Sequence, residues 1–169
     1  MYKYLFLLTL FFLAENLVFP QGKSSGRLFR IENTDGDCGY VNSVRDTIIP
    51  IGKYMMCEDS IIKTIGFVYG TGGIMCIDNT GKELFEVFNY DNGPDPASNG
   101  LLRIVKDGKI GYANLKGKVV IEPQFKCAWP FEKGKAKVSY NCNFVKDGEI
   151  TLWKEGDWFF IDKKGKRKK

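Results

Sequence analysis

A ten-residue segment occurs four times along this chain, the first three copies at a constant spacing, and that recurrence limits the possible folds more than any other feature. Lys109 to Lys118 reads Lys-Ile-Gly-Tyr-Ala-Asn-Leu-Lys-Gly-Lys. Related segments begin at Gly73 and at Asp37, each about 36 residues earlier, and a fourth runs from Asp157 to Lys166. An Asn or Asp holds the same place in all of them: Asn42, Asp78, Asn114 and Asp162. In three copies a Gly follows three positions on, as Gly81, Gly117 and Gly165. A repeat of this length is one supersecondary unit that cannot bury its apolar face alone, so neighbouring units must stack.

The unit reads as three strands. A strand-like run precedes each template: Leu28 to Ile31, Ile65 to Tyr69, Leu101 to Val105 and Ala136 to Tyr140. A turn follows. Asp107-Gly108 is a strong hairpin signal, because a type I′ turn needs positive φ at both central residues. Asp35-Gly36 and Gly72-Gly73 stand in the same place. The template strand then ends in an Asn/Asp-x-x-Gly turn, where the side chain caps the backbone and Gly takes the left-handed conformation. Val119 to Ile121 is the clearest third strand, with Thr47 to Ile49 and Glu83 to Val87 as counterparts.

The expectation is an all-β chain: about four three-stranded antiparallel meanders over 27–60, 61–98, 99–134 and 135–166, stacked into one elongated or partly closed domain. No convincing amphipathic helix is present, and Met55 to Ile65 reads as a connector with at most one helical turn. The register also predicts positive φ at Gly81 and Gly117, and equivalent inward positions for Tyr40 and Tyr112.

The last unit departs from the pattern. Extra residues separate its first strand from its template strand, with Phe144-Val145 and Glu149 to Trp153 reading as the arms of an added hairpin. The basic run from Lys163 to Lys169 stands where a third strand would be and reads as a solvated, frayed end. It also carries the excess of the chain's 25 Lys and Arg over 20 Asp and Glu, so no basic face is visible elsewhere and nucleic acid is not an expected partner.

These motifs resemble the WG-repeat family. The third unit carries the resemblance in Gly100-Leu101, Gly111-Tyr112, Asn114, Gly117-Lys118, Val119-Val120-Ile121, Pro123-Gln124-Phe125, Pro130-Phe131 and Gly134. The fourth adds Trp158, Asp162 and Gly165-Lys166. Cys38, Ile74 and Ile110 replace the family's Trp in the other units, and Phe159 replaces the Gly beside Trp158. What the resemblance implies is a β-rich repeat array with an interaction role and no catalytic residues to carry over.

Residues 1–21 read as a signal peptide, with Lys3 ahead of the apolar run Leu5 to Ala14, which is too short to span a bilayer. The expected mature start lies near Gln21, and the expected location is secreted or periplasmic. Five Cys, an odd number, leave at least one thiol unpaired within the chain, and their spacing favours small buried apolar residues over a metal or redox motif. The absence of His removes Ser-His-Asp catalysis and His metal sites. No cofactor is expected.

Asp95, Asp107, Glu122 and Asp157 are conceivable hydrolase carboxylates, but nothing in their spacing requires it. Asn89 to Asn99 reads as a polar surface loop rather than a Ca²⁺ loop. The candidate binding residues are Trp153, Phe144, Trp129 and Tyr140, centred on the added hairpin, whereas Trp158 reads as a packed repeat-core residue. Trp153 has a second reading, as a cap on the open end of the array. The leading expectation is a non-catalytic module that presents its β surface to a protein partner. A glycan- or cell-wall-binding protein comes second and a hydrolase third. Exposed paired tryptophans favour the glycan, and a flat apolar patch with a polar rim favours the protein.

Overall fold

The computed structural model describes residues 26–147 and 150–168. The expected signal peptide lies outside them. Every regular element is a strand. The first meander is β1 (Leu28–Glu32), β2 (Cys38–Val41) and β3 (Thr47–Tyr54). Short strands β4 (Met56–Cys57) and β5 (Ile61–Ile62) lead to the second, made of β6 (Ile65–Gly70), β7 (Gly73–Asp78) and β8 (Glu83–Val87). A small ribbon, β9 (Asn89–Tyr90) with β10 (Gly93–Pro94), precedes the third: β11 (Leu101–Lys106), β12 (Lys109–Asn114) and β13 (Val119–Phe125). After β14 (Cys127–Ala128) comes β15 (Lys135–Ser139), then the added hairpin β16 (Asn143–Asp147) and β17 (Ile150–Lys154). The fourth meander resumes with β18 (Phe159–Asp162) and closes with β19 (Arg167–Lys168).

The second and third meanders merge through the β8–β11 pairing into a seven-stranded sheet, while the first and fourth each form a four-stranded one with a connector strand. None of these sheets closes on itself. The 55–65 segment is the expected connector, holding β4 and β5 and no helical turn. One expectation needs correction. The basic end is not wholly frayed, because Arg167 pairs with Ile161 and Lys168 with Phe160, supplying the missing third strand.

The repeated Asx turn is one structure four times over. The Oδ1 atoms of Asn42, Asp78, Asn114 and Asp162 each accept two backbone N–H groups, from Val44 and Asp46, Thr80 and Lys82, Lys116 and Lys118, and Lys164 and Lys166. The third position after each is left-handed: Gly81 at φ 83°, Gly117 at 78° and Gly165 at 76°. The first unit has Arg45 there, also left-handed at 71°, so the repeat geometry imposes the conformation even on a residue with a Cβ. Asp107-Gly108 is the expected type I′ hairpin, with φ of 52° and 68°. At the other two hairpins only Gly36 and Gly73 are left-handed. Asn33 organises the first by accepting the N–H groups of Asp35 and Asp37.

Each junction between units has its own apolar core, which is why the strands read as continuous apolar runs. Tyr40, Ile49, Ile62, Val68 and Ile77 pack between the first and second units. Ile74, Val87, Leu102, Ile104 and Ala113 pack within the second and third. Ile110, Tyr112, Ile121, Phe125, Phe131 and Ile161 pack between the third and fourth. Strand β12 serves two cores at once, with Ile110 and Tyr112 on one face and Ala113 on the other, as the alternation of a pleated strand dictates. Tyr40 and Tyr112 occupy equivalent buried positions as expected, and each hydroxyl donates to a carbonyl beyond its own meander, of Asp59 and of Trp129, at 2.7 Å.

Gly39 and Gly111 mark a second device. In the first unit Pro50, Ile51, Gly52 and Lys53 lie opposite Gly39 alone, and in the third Glu122, Pro123 and Gln124 lie opposite Gly111 alone. These bulges press the third strand against the glycine. A Cβ on Gly39 would meet the Ile49 carbonyl oxygen at 2.6 Å and the Ile51 nitrogen at 2.8 Å, and one on Gly111 would collide with Ile121 and Pro123. The second unit has no such bulge, and Met75 pairs regularly with Glu86 at the equivalent position.

The cysteines depart from the sequence expectation. Cys38–Cys57 ties β2 to β4, and Cys127–Cys142 ties β14 to the base of the added hairpin. Only Cys76 is the buried, unpaired apolar residue expected, and burial, with the Asp59 and Asp78 carboxylates adding to it, pushes its thiol up to about 12. Asp95 departs too. It sits in the segment read as a surface loop, yet it is buried and paired with Arg103, whose guanidinium lies 4.1 Å from the Phe88 ring centre and donates to the Ala128 carbonyl.

Candidate functional site

Strand β15 alternates. Ala136 and Val138 turn into the core, and Lys135 and Lys137 turn out. Its partner β18 does the same, with Ile161 inward and Phe160 outward, 41% exposed and opposite Lys137. Trp158, two residues before Phe160, shares that outer face half-buried. The Lys137 ammonium lies 5.1 Å from the Trp158 ring centre and the Lys135 ammonium 4.6 Å from that of Phe160. The indole N–H of Trp158 donates to the Glu155 carbonyl at 2.7 Å, which fixes the ring.

Two further elements bring aromatic rings to this face. The connector after β14 supplies Trp129, 46% exposed, whose backbone N–H donates to the Lys137 carbonyl at 2.9 Å. The added hairpin supplies Trp153, edge-on to Trp129 with ring centres 5.3 Å apart, and edge-on to Phe88 at 6.0 Å. Together these residues line a groove of about 600 Å³, with Ser98, Pro130, Glu132 and Lys133 at its margins.

The pairing register explains why this face is open. Phe160 sits opposite Lys137 as Tyr112 sits opposite Arg103, and Asp162 opposite Lys135 as Asn114 sits opposite Leu101. Trp158 therefore stands where Ile110 does. In the third unit that face, with Leu101, Ile110 and Tyr112, is buried under the fourth. Among the described residues no further unit covers the fourth, and its side chains fit that situation. Lysine replaces Leu101, and Phe160 replaces a tyrosine whose hydroxyl would have no carbonyl to meet.

Residues 110–141 match the family model described as WG containing repeat. That stretch bears out the WG-repeat resemblance carried by the third unit. The match spans β12 to β15 and the connector bearing Trp129, the region where the family's motifs are clearest. No curated protein and no solved structure matches the chain.

Of the four candidate residues read from the sequence, Trp129 and Trp153 come together in the groove. Phe144 and Tyr140 do not line it. Phe144, 54% exposed, lies near the Lys126 ammonium, and Tyr140, 57% exposed, stacks against Phe125 and Phe159. Trp153 also packs on the core between the third and fourth units, as a capping residue does, while lining the groove. Sequence reasoning missed Trp158, Phe160, Lys135 and Lys137. Trp158 reads as core from the sequence because it occupies the repeat position held by the apolar Cys38, Ile74 and Ile110. The Lys-Ala-Lys-Val alternation of β15 was the available signal, since it marks one polar face where the equivalent β11 has none.

Proposed function

We propose that this chain is a carbohydrate-binding module that works outside the cytoplasm, with the groove on the fourth meander as its site. The observation that carries the reading is the convergence of Trp129, Trp153 and Trp158 on one groove from three separate chain segments. A sugar ring presents an apolar face of C–H bonds ringed by hydroxyls. An indole face offers a broad apolar surface with negative potential to receive it. Polar groups at the margin then fix orientation, as in small-molecule sites generally. Trp129 is the open platform, and its edge contact with Trp153 together with its backbone bond to β15 sets it in place. The two disulfides and the apolar leader-like segment support an oxidising compartment.

A protein partner is the second reading, favoured by the burial of the equivalent face of the third unit under another β unit. Against it stand Lys135 and Lys137, because stacking a further unit would take two ammonium groups out of water. Titration of the protein with a panel of neutral and acidic oligosaccharides, followed by tryptophan fluorescence, tests the proposal. The expected result is a saturable shift that Trp129→Ala removes while the melting temperature stays nearly unchanged. Failure of every oligosaccharide to bind, or undiminished binding by Trp129→Ala, would overturn it.

A further inference from the structure

We infer that the groove selects acidic sugars, taking the carboxylate of a uronic-acid oligosaccharide against Lys135 and Lys137. This rests on the carbohydrate reading and names the substrate class for the same site. Asp59 accepts the backbone N–H of Phe67, and Asp95 that of Arg103, at the same separation of 8 residues. In the third unit Asp95 also neutralises the Arg103 guanidinium, which lies over an aromatic ring. Lys137 is the register equivalent of Arg103, and it too lies over an aromatic ring. Trp129, whose N–H donates to the Lys137 carbonyl, stands where Phe88 donates to Arg103 and Glu58 to Phe67, and the chain has no Asp between it and Lys137. The fourth unit thus keeps a cation over a ring and an aromatic residue at the Phe88 position, but not the Asp that neutralises the cation in the third.

Among the described residues no carboxylate lies within ion-pair distance of Lys133, Lys135 or Lys137. Glu132 is the one acidic group on the groove margin, against these three ammonium groups. Lys135 and Lys137 are two residues apart on one strand face, roughly 7 Å along the strand, a separation that brackets one carboxylate or two on successive sugars. Their ring contacts already order the long side chains, so less freedom is lost when an anion arrives. An incoming carboxylate makes with them the charge-assisted bonds that Asp95 makes with Arg103.

Isothermal titration of the full chain with oligogalacturonate and with alginate oligomers, each beside its carboxyl-reduced counterpart, decides the matter. The acidic form is expected to bind about tenfold more tightly than its reduced counterpart, and the gap to narrow as salt is raised. K135Q/K137Q, both on an exposed face, is expected to keep the wild-type melting curve and to bind the acidic and reduced forms with equal affinity. Equal affinity for the acidic and reduced forms overturns acid selection and leaves the carbohydrate site standing. Binding of neither form overturns both readings, and capture of a poly-glutamate peptide without any sugar assigns the groove to acidic protein instead.

Discussion

Gly117→Ala tests the stacking geometry in a way that separates backbone strain from packing. Gly117 is left-handed at φ 78°, a conformation that costs an L-residue roughly 1–2 kcal/mol. An added Cβ would also sit 2.6 Å from Leu84 Cδ1 and 3.0 Å from Ile65 Cγ2, both in the preceding unit. Relieving such a clash in a packed interface costs about 1–3 kcal/mol more. Gly165 provides the control. It occupies the same Asx turn at φ 76°, but its Cβ would meet Ile121 at 3.6 Å, an ordinary contact. Gly165→Ala should therefore show the strain alone, about 1–2 kcal/mol, and Gly117→Ala about 2–5 kcal/mol in total. Urea unfolding followed by tryptophan fluorescence measures both, with the slopes checked for equality. Equal losses in the two variants would refute the view that the turn of one unit seats directly on the strands of the unit before it.

Arg103→Ala should destabilise the chain by about 3–5 kcal/mol, because it strands the buried Asp95 carboxylate; calorimetric melting checks this. Serine at both Cys127 and Cys142, which are 15 residues apart, should cost about 3 kcal/mol and loosen the added hairpin, seen as lost unfolding free energy and faster amide exchange across β16 and β17. Burial, with the Asp59 carboxylate adding to it, pushes Tyr40 up to about 12, and burial raises Tyr112 further. The unfolded chain releases these protons near pH 10, so stability should hold below that value and fall as pH rises through about 12; absorbance titration of tyrosinate alongside circular dichroism would show the two events together.

Much of the fold was legible because its signals are local. The Asx turns at Asn42, Asp78, Asn114 and Asp162 are set by a side chain two to four residues from its partners, so spacing alone reveals them. Tyr40 and Tyr112 follow from strand parity once the register is known. What escaped depends on contacts distant in sequence. Asp95 sits amid Asn, Gly and Pro and reads as loop, and only the return of β11 brings Arg103 to it. Cys38 and Cys57 look apolar until β4 folds back beside β2. Of the site, Trp129 and Trp153 were found as aromatics outside the repeat pattern. Trp158 and Phe160 were hidden by that pattern, because the burial of a repeat position is decided by the neighbour that stacks on it and not by its own unit.

Gly111 and the bulge it faces can be lost in only one order. A side chain placed at Gly111 while Glu122, Pro123 and Gln124 still press inward collides with backbone, which cannot swing aside as a side chain can. Shortening β13 first removes the obstruction and makes the position permissive. The second unit has the arrangement reached at the end of that route, with Met75 in regular pairing and no proline opposite. Within one repeat, a side chain at the Gly111 position and a bulged third strand are therefore mutually exclusive, so the third strand must be shortened before that one glycine can be replaced.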